Sequence, residues 1–215
     1  MLKKLLVALL FAPVVAFASA AAPVQYQQGV HYEVVAEKAT EVPEVLEFFS
    51  FYCGHCKAFE PFAQALNKNL PTGISLTKHH VDFLRVAPPE LQQSLAKAYV
   101  VAKNSGQGDR ISNAIFDYLH NQRGSFTTEQ DIRSLLVAND IPAMLVDSGM
   151  VNTAVMDEVA AMKQSQDHYS AAKILQGVPT LLVNGKYQVK FSGLSQENFQ
   201  QDLNALVAYL LAKKD

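Results

Sequence analysis

The chain opens on an uncharged apolar run, Leu5 to Phe17. Lys3 and Lys4 precede it and the small residues Ala18-Ser19-Ala20 follow. A basic start, an apolar centre and a small-residue tail are the three parts of a secretory signal. Residues 1–20 are expected to be a signal peptide, cleaved after Ala20 or after Ala22. Counted with its tail the run is about 18 residues, marginal for a membrane span, and Pro13 inside it suits a signal better than an anchor.

Beyond this segment the pattern becomes that of a folded domain. Val45-Leu46-Glu47-Phe48-Phe49-Ser50-Phe51 is a short, nearly continuous apolar run, which predicts a strand buried on both faces. From Cys53 to Asn69, Phe59, Phe62, Ala63 and Leu66 recur at three- and four-residue spacing, continuing to Leu70, and predict a helix. Pro61 inside it should kink it, and Leu70-Pro71-Thr72-Gly73 stops it. Ile74 to Phe83 predicts a second strand, with Thr77 and Val81 favouring that state. A helical stretch follows. Pro88-Pro89-Glu90 opens one helix, with Leu91, Leu95, Ala98, Tyr99 and Ala102 along one face. Asp109 to Gln122 predicts a second. Thr128 to Asp131 has the spacing of a capping box ahead of Ile132, Leu135 and Leu136. A pattern rich in Ala, Met, Lys and Gln then runs from about Val155 to Leu175. Strand patterns return at Thr180–Val183 and Lys186–Val189. They flank Asn184-Gly185, the strongest short hairpin signal. A terminal helix is expected over about Gln196 to Leu211.

The predicted order is strand, helix, strand, several helices, hairpin, helix. That is an α/β fold with an insertion. Its simplest division makes residues 21–83 and 169–215 one α/β domain and residues 84–168 an all-helical insertion. Composition agrees with a globular chain: 215 residues, 49% hydrophobic, excluding disorder and fibrous rods. The formal net charge is −2, so no basic excess argues for nucleic acid or an anionic membrane surface. The signal carries two of the lysines and no acid, so the exported chain is more acidic still. No later run approaches the length of a span. The exported protein is therefore expected to be soluble, in an oxidising compartment; the pattern leaves its oligomeric state open, with a monomer as the default. A lysine-rich signal of this length reads as bacterial and points to the periplasm of a Gram-negative cell.

The chemistry is concentrated in Cys53-Gly54-His55-Cys56, which holds the two cysteines of the chain. Cysteines at i and i+3, directly after a buried strand and opening a helix, can close a disulfide across one turn. The first sulfur then sits at the helix N-terminus, where free N–H groups and the helix dipole favour a thiolate. A stabilised thiolate favours the reduced form and makes the disulfide a better oxidant. Three uses of such a pair are compatible with the residues: half of a zinc site, an inert staple, or a redox-active dithiol. Structural zinc takes four ligands, for which the chain has no further cysteine, and a loop this short is a poor staple. The redox reading is preferred, and no metal is expected. The imidazole of His55 can donate to a thiolate between the cysteines. His79 and His80, adjacent on a strand, should face opposite sides. His31, His120 and His168 read as surface or satisfied residues. Glu47 is a carboxylate in an apolar run, either paired within the fold or reaching water at a strand end.

These residues resemble the DsbA family of periplasmic disulfide oxidoreductases, which have the thioredoxin fold. The resemblance is carried by Leu46 to Phe62, LEFFSFYCGHCKAFEPF, by Leu76 to Val81, by Gly177-Val178-Pro179-Thr180 and by Val183-Asn184-Gly185-Lys186-Tyr187. It covers essentially the whole exported chain, helical insertion included. It implies that Cys53 is the exposed nucleophile and Cys56 its buried partner, and that Val178, the cis-proline Pro179 and Thr180 form a ledge for an extended substrate. It also implies that Glu47 lies under the site with Lys78 and Glu60, a charged cluster expected to move protons near Cys56 and tune the couple. The implied activity is oxidation of cysteine pairs in unfolded exported proteins. No cofactor is needed beyond the Cys53–Cys56 disulfide, which a membrane, quinone-linked partner resembling DsbB would regenerate. The same chemistry run as an isomerase or reductase, or a peptide-binding chaperone with a vestigial dithiol, are the competing readings. The sequence departs from the best-known members in carrying Gly54-His55 where they have Pro-His. Gly-His is the dipeptide of eukaryotic protein disulfide isomerases, so a milder oxidant is expected.

Overall fold

The computed structural model describes residues 26–213. The expected signal at residues 1–20 lies outside them. Five strands, β1 (Tyr32–Val34), β2 (Val45–Phe49), β3 (Leu76–His80), β4 (Thr180–Val183) and β5 (Tyr187–Val189), form one mixed sheet in the order β1-β5-β4-β2-β3. β2 pairs parallel with β3; the β2–β4, β4–β5 and β5–β1 pairs are antiparallel. Seven helices complete the described fold: α1 (Gly54–Asn69), α2 (Pro89–Asn104), α3 (Gly108–His120), α4 (Glu129–Ala138), α5 (Ala143–Met150), α6 (Thr153–Ala171) and α7 (Phe199–Ala212). The α/β expectation holds. The parallel β2–β3 pair needs a crossover, which α1 supplies, and helices α2 to α6 all fall between β3 and β4.

Every residue of β2 is buried, as the continuous apolar run requires of a strand covered on both faces. On one face α1 and α7 pack through Ala63, Leu66, Leu203, Leu206 and Val207 against Val45, Leu181 and Val183. On the other, Leu46, Phe48 and Leu182 meet Val81 and Leu175. The largest cluster joins the helices α2 to α6 to the end of β2. Leu95, Ile111, Ile115, Phe116 and Met162 share one core with Phe49, Phe51 and Cys56. The helical segment therefore packs directly on the residues that lead into the dithiol.

Local signals predict the elements they belong to. Asn184 and Gly185 both have positive φ, 53° and 60°, and the Lys186 N–H closes the turn onto the Val183 carbonyl (3.1 Å). The hairpin forms where expected, but Val183 pairs with Tyr187, so β5 starts one residue later than the expected Lys186. Thr128 caps α4 through the N–H of Asp131, whose carboxylate returns to the N–H of Thr128: the capping box is complete. α1 is continuous through Pro61. The extents differ from expectation where an end is set by packing or a cap. β3 is five residues rather than the ten of Ile74 to Phe83. α6 starts at Thr153 because Asn152 caps it, and it ends at Ala171, ahead of Lys173 with φ of 59°. Three elements are additional to those expected, the short edge strand β1, the two-turn helix α5 and a single 3-10 turn at Phe191–Gly193. Among the described residues no helix is long and apolar enough to cross a membrane.

Candidate active site

The chain leaves β2 at Phe49, turns through Ser50 to Tyr52 and enters α1. The N–H of Cys53 donates to the Ser50 carbonyl (3.0 Å) and that of Tyr52 to the Ser50 hydroxyl (3.2 Å). Cys53 is the N-cap residue of α1. Its sulfur accepts the N–H of Cys56 at 3.2 Å, taking the place that a Ser or Asp oxygen takes at an ordinary helix start. Both cysteines carry free thiols; Cys53 is half-buried and Cys56 fully buried. The Cys53 thiol also donates to the carbonyl of Val178 at 3.3 Å. The Val178–Pro179 peptide is cis, and the Thr180 hydroxyl donates to the Gly177 carbonyl (2.8 Å), closing the turn that enters β4. The sheet order sets this meeting: β4 lies beside β2, so the segment before β4 arrives opposite the start of α1.

The two sulfurs are electrostatically unlike. The Cys56 thiol hydrogen bond, opposed by partial burial and helped by the N–H groups of Cys56 and His55 and the charge of His55, lowers the Cys53 pKa to about 6. Burial first, then the bond to Cys53, pushes Cys56 far above the ordinary thiol range. A proton is therefore held at Cys56 while Cys53 ionises. His55 is exposed on the first turn of α1.

Glu47, Lys78 and Glu60 come together beneath the dithiol. The parallel register sets Glu47 beside Lys78. Lys78 Nζ is 3.4 Å from Glu47 Oε2, and Glu60 of α1 hydrogen-bonds the same ammonium. Glu47 is fully buried, so the strand-end exposure open to it on sequence alone does not occur. Burial, with the repulsion of Glu60 and against the pull of Lys78, raises the Glu47 pKa to about 7. Burial alone would lower Lys78, but the two carboxylates outweigh it and hold the ammonium charged. Lys78 also borders an open cleft of about 620 Å³ between α1, β3, α2 and α3.

Two histidines reach the same loop. His80 Nε2 accepts the N–H of Phe51 (3.1 Å), and His120 Nε2 lies 2.8 Å from the Phe51 carbonyl. Burial lowers the His80 pKa to about 3, so this imidazole is neutral and its proton sits on Nδ1. His79, on the other face of β3, packs against Phe48. His80 and His120 are neighbours of the site that sequence reasoning does not single out. His120 is 69 residues from Phe51 and carries no local signal. His80 has a strand pattern but no indication of which loop it faces. Along the other side of Val178 and Pro179 runs an open groove of about 680 Å³, whose lining includes Glu33, Gln176, Gln188 and Lys190. Among the described residues no group of three or more His, Cys, Asp or Glu is placed to hold a metal ion.

Residues 44–204 match the DSBA-like thioredoxin domain family. The chain is 36% identical over 207 residues to the thiol:disulfide interchange protein DsbA of Dickeya dadantii, covering 94% of this chain and 95% of that one. It is 33% identical over 207 residues to the DsbA of Escherichia coli K12, with the same coverages. Among solved structures, the DsbA of Klebsiella pneumoniae superposes with a TM-score of 0.77 at 28% identity, covering 88% of this chain and 100% of that one. A cysteine-to-serine variant of DsbA from Proteus mirabilis, with a non-covalently bound peptide PWATCDS, superposes at 0.76 and 26% identity, covering 88% and 100%.

Proposed function

The chain belongs to the DSBA-like thioredoxin family, and from that premise we propose an oxidase in which Cys53 is the nucleophilic sulfur and Cys56 its buried partner. The protein is a thiol:disulfide oxidoreductase that oxidises cysteine pairs by donating its own disulfide, and no separate cofactor carries the electrons. One observation carries the assignment of roles: Cys53 Sγ caps α1 and is half-exposed beside the Val178 carbonyl, whereas Cys56 is fully buried.

A substrate thiolate attacks Cys53 Sγ in line with the Cys53–Cys56 bond. That bond breaks, its electron pair goes to Cys56, and Cys56 takes up a proton as its raised pKa demands. A second substrate thiolate attacks the substrate sulfur of the mixed disulfide. Cys53 leaves as a thiolate, a good leaving group at a pKa of about 6. The substrate ends oxidised and the enzyme reduced by two electrons. His55 supplies an N–H and positive charge to the departing Cys53. Glu47, with Lys78 and Glu60, exchanges the proton of Cys56 with solvent through the cleft that Lys78 borders. Val178, Pro179 and Thr180 form the ledge along which an extended substrate lies, through backbone hydrogen bonds.

The substrates are unfolded exported proteins with cysteine pairs, met in the periplasm after removal of residues 1–20. A membrane, quinone-linked partner resembling DsbB regenerates the disulfide, and the enzyme works as a monomer. Residues 21–83 and 169–215 form the thioredoxin-like domain and residues 84–168 the helical insertion; a boundary at 169 lies in the last turn of α6. The test is the reduction potential of the protein without residues 1–20 in glutathione buffers. A value between about −120 mV, that of the strongly oxidising DsbA, and about −180 mV, that of an isomerase, supports an oxidant. A value near about −270 mV, that of thioredoxin, overturns the oxidase assignment in favour of a reductant. Cys53→Ser separates a chaperone, which would keep its activity, from the oxidase, which loses it.

A further inference from the structure

The peptide groups on either side of Phe51 are held by two imidazoles from different parts of the fold. The Phe51 N–H donates to Nε2 of His80, at the end of β3, and the Phe51 carbonyl lies 2.8 Å from Nε2 of His120, the last residue of α3. Donation to a carbonyl requires the proton of His120 on Nε2. The other nitrogen, Nδ1, then faces Gly54: it lies 4.0 Å from the position a Cβ on that residue would take. A helix outside the sheet thus places an imidazole against the residue between Cys53 and His55.

Phe51 is the point where such a grip acts on the sulfur. It is two residues ahead of Cys53, fully buried, and inside the turn that the Cys53 N–H closes onto Ser50. That turn orients Cys53 at the N-cap, where its sulfur meets the Cys56 N–H at 3.2 Å and the Val178 carbonyl at 3.3 Å. The end of α3 is also tied to α1. Lys57 hydrogen-bonds the Asn121 side chain, and Asn121 donates to Asp117 at 2.6 Å. His120 therefore sits on an anchored helix end rather than on a free loop.

We propose that His120 is a positioning residue for the dithiol: by holding the Phe51 carbonyl it couples the α2–α6 segment to the active-site turn and sets the alignment of the Cys53 sulfur on the end of α1. The inference rests on the reading of Cys53 as the reactive thiol. It does not depend on the direction in which the enzyme is used, because the readouts are equilibrium properties of the thiol. Loss of the bond frees the turn, weakens the contact of the sulfur with the helix N-terminus and raises the proton affinity of Cys53.

The experiment compares His120→Ala and His120→Gln with the native protein. The Cys53 thiolate is titrated by its ultraviolet absorbance in the reduced form, and the reduction potential is measured in glutathione buffers. His120→Ala is expected to lower the Cys53 acid constant about threefold or more and to make the potential more reducing. His120→Gln, whose amide N–H can reach the Phe51 carbonyl, should restore most of both. An Ala variant of lowered thermal stability but native thiol titration and potential would reduce His120 to a packing residue and overturn the proposal. If the Ala variant does not fold, imidazole nitrogen shifts of the native protein decide. The proposal requires the His120 proton on Nε2 in the reduced form and a shift of its resonances on oxidation. A proton on Nδ1 alone, or resonances unmoved by the redox change, sinks it. An enzyme that titrates as expected but has the potential of a reductant refutes the oxidase assignment and leaves the role of His120 intact.

Discussion

Replacing Glu47 by Gln should make the reduced protein more stable at alkaline pH and leave it unchanged in acid. Glu47 is fully buried and its pKa is pushed up to about 7 from the ordinary 4.5, with burial the largest cause. Below pH 4.5 the carboxyl is protonated in both the folded and the unfolded chain. There the tighter hold of the folded state on that proton stabilises the fold in full. As pH rises from 4.5 to 7 the unfolded chain ionises first, and the contribution is lost by the time the folded group ionises. At ~1.4 kcal/mol per tenfold change in proton affinity, the rise from 4.5 to about 7 is worth ~3 kcal/mol. The amide of the variant has no proton to lose, and Lys78 keeps Glu60 as its partner. The stability difference between variant and native protein should therefore climb from near zero at about pH 4 to ~3 kcal/mol above about pH 8. Urea unfolding of both reduced proteins across that range measures it. Repeating the comparison in a Cys53→Ser background removes the contribution of Cys53, whose charge also acts on Glu47. A difference that does not vary with pH would refute the reasoning, as would a variant less stable than native at the alkaline end. The latter would mean that the Glu47–Lys78 attraction outweighs the cost of burying the charge. The same variant tests the functional role. If the charge of Glu47 acts on the dithiol, the Cys53 pKa and the reduction potential both move; if neither does, the cluster is a structural ion pair.

The thiolate absorbance of the reduced protein should rise with a midpoint near 6 and vanish in Cys53→Ser but persist in a Cys56→Ser variant; a midpoint near the ordinary thiol value in the native protein would contradict the hydrogen bonds that Cys53 Sγ receives from the Cys56 thiol and from the N–H groups at the helix start. Gly54→Pro should fold, because proline is tolerated at the first helical position and a Cβ at residue 54 meets only His120 Nδ1 at ordinary contact distance. Stiffening the helix start should make the potential more oxidising, and glutathione equilibration reads the sign. Thr128→Ala removes the N-cap of α4 and should cost about 1 kcal/mol in urea unfolding. The potential should be unchanged, since this cap lies outside the dithiol contacts.

Much of this protein is written in short stretches of chain. The helix opening at Cys53, the hairpin at Asn184-Gly185, the capping box at Thr128 and the doubly buried strand β2 each depend on residues within a few positions of one another. Such signals are local chemistry: a cap, a turn, an apolar run. They are legible because the structure realises them with the partners the sequence itself supplies. The dithiol is legible for the same reason, its spacing and its place between strand and helix being enough to suggest redox use. Tertiary structure decided what depends on partners distant in the chain. β1 has three residues and exists by pairing with β5, at the far end of the sequence. Glu47 and Lys78 meet because β2 and β3 run parallel in one register, which periodicity does not specify. Val178 reaches the Cys53 thiol because β4 is inserted beside β2. The placement of His80 and His120 on the two sides of Phe51 follows from the docking of α3 and β3 around the end of β2, a matter of packing that no single segment encodes.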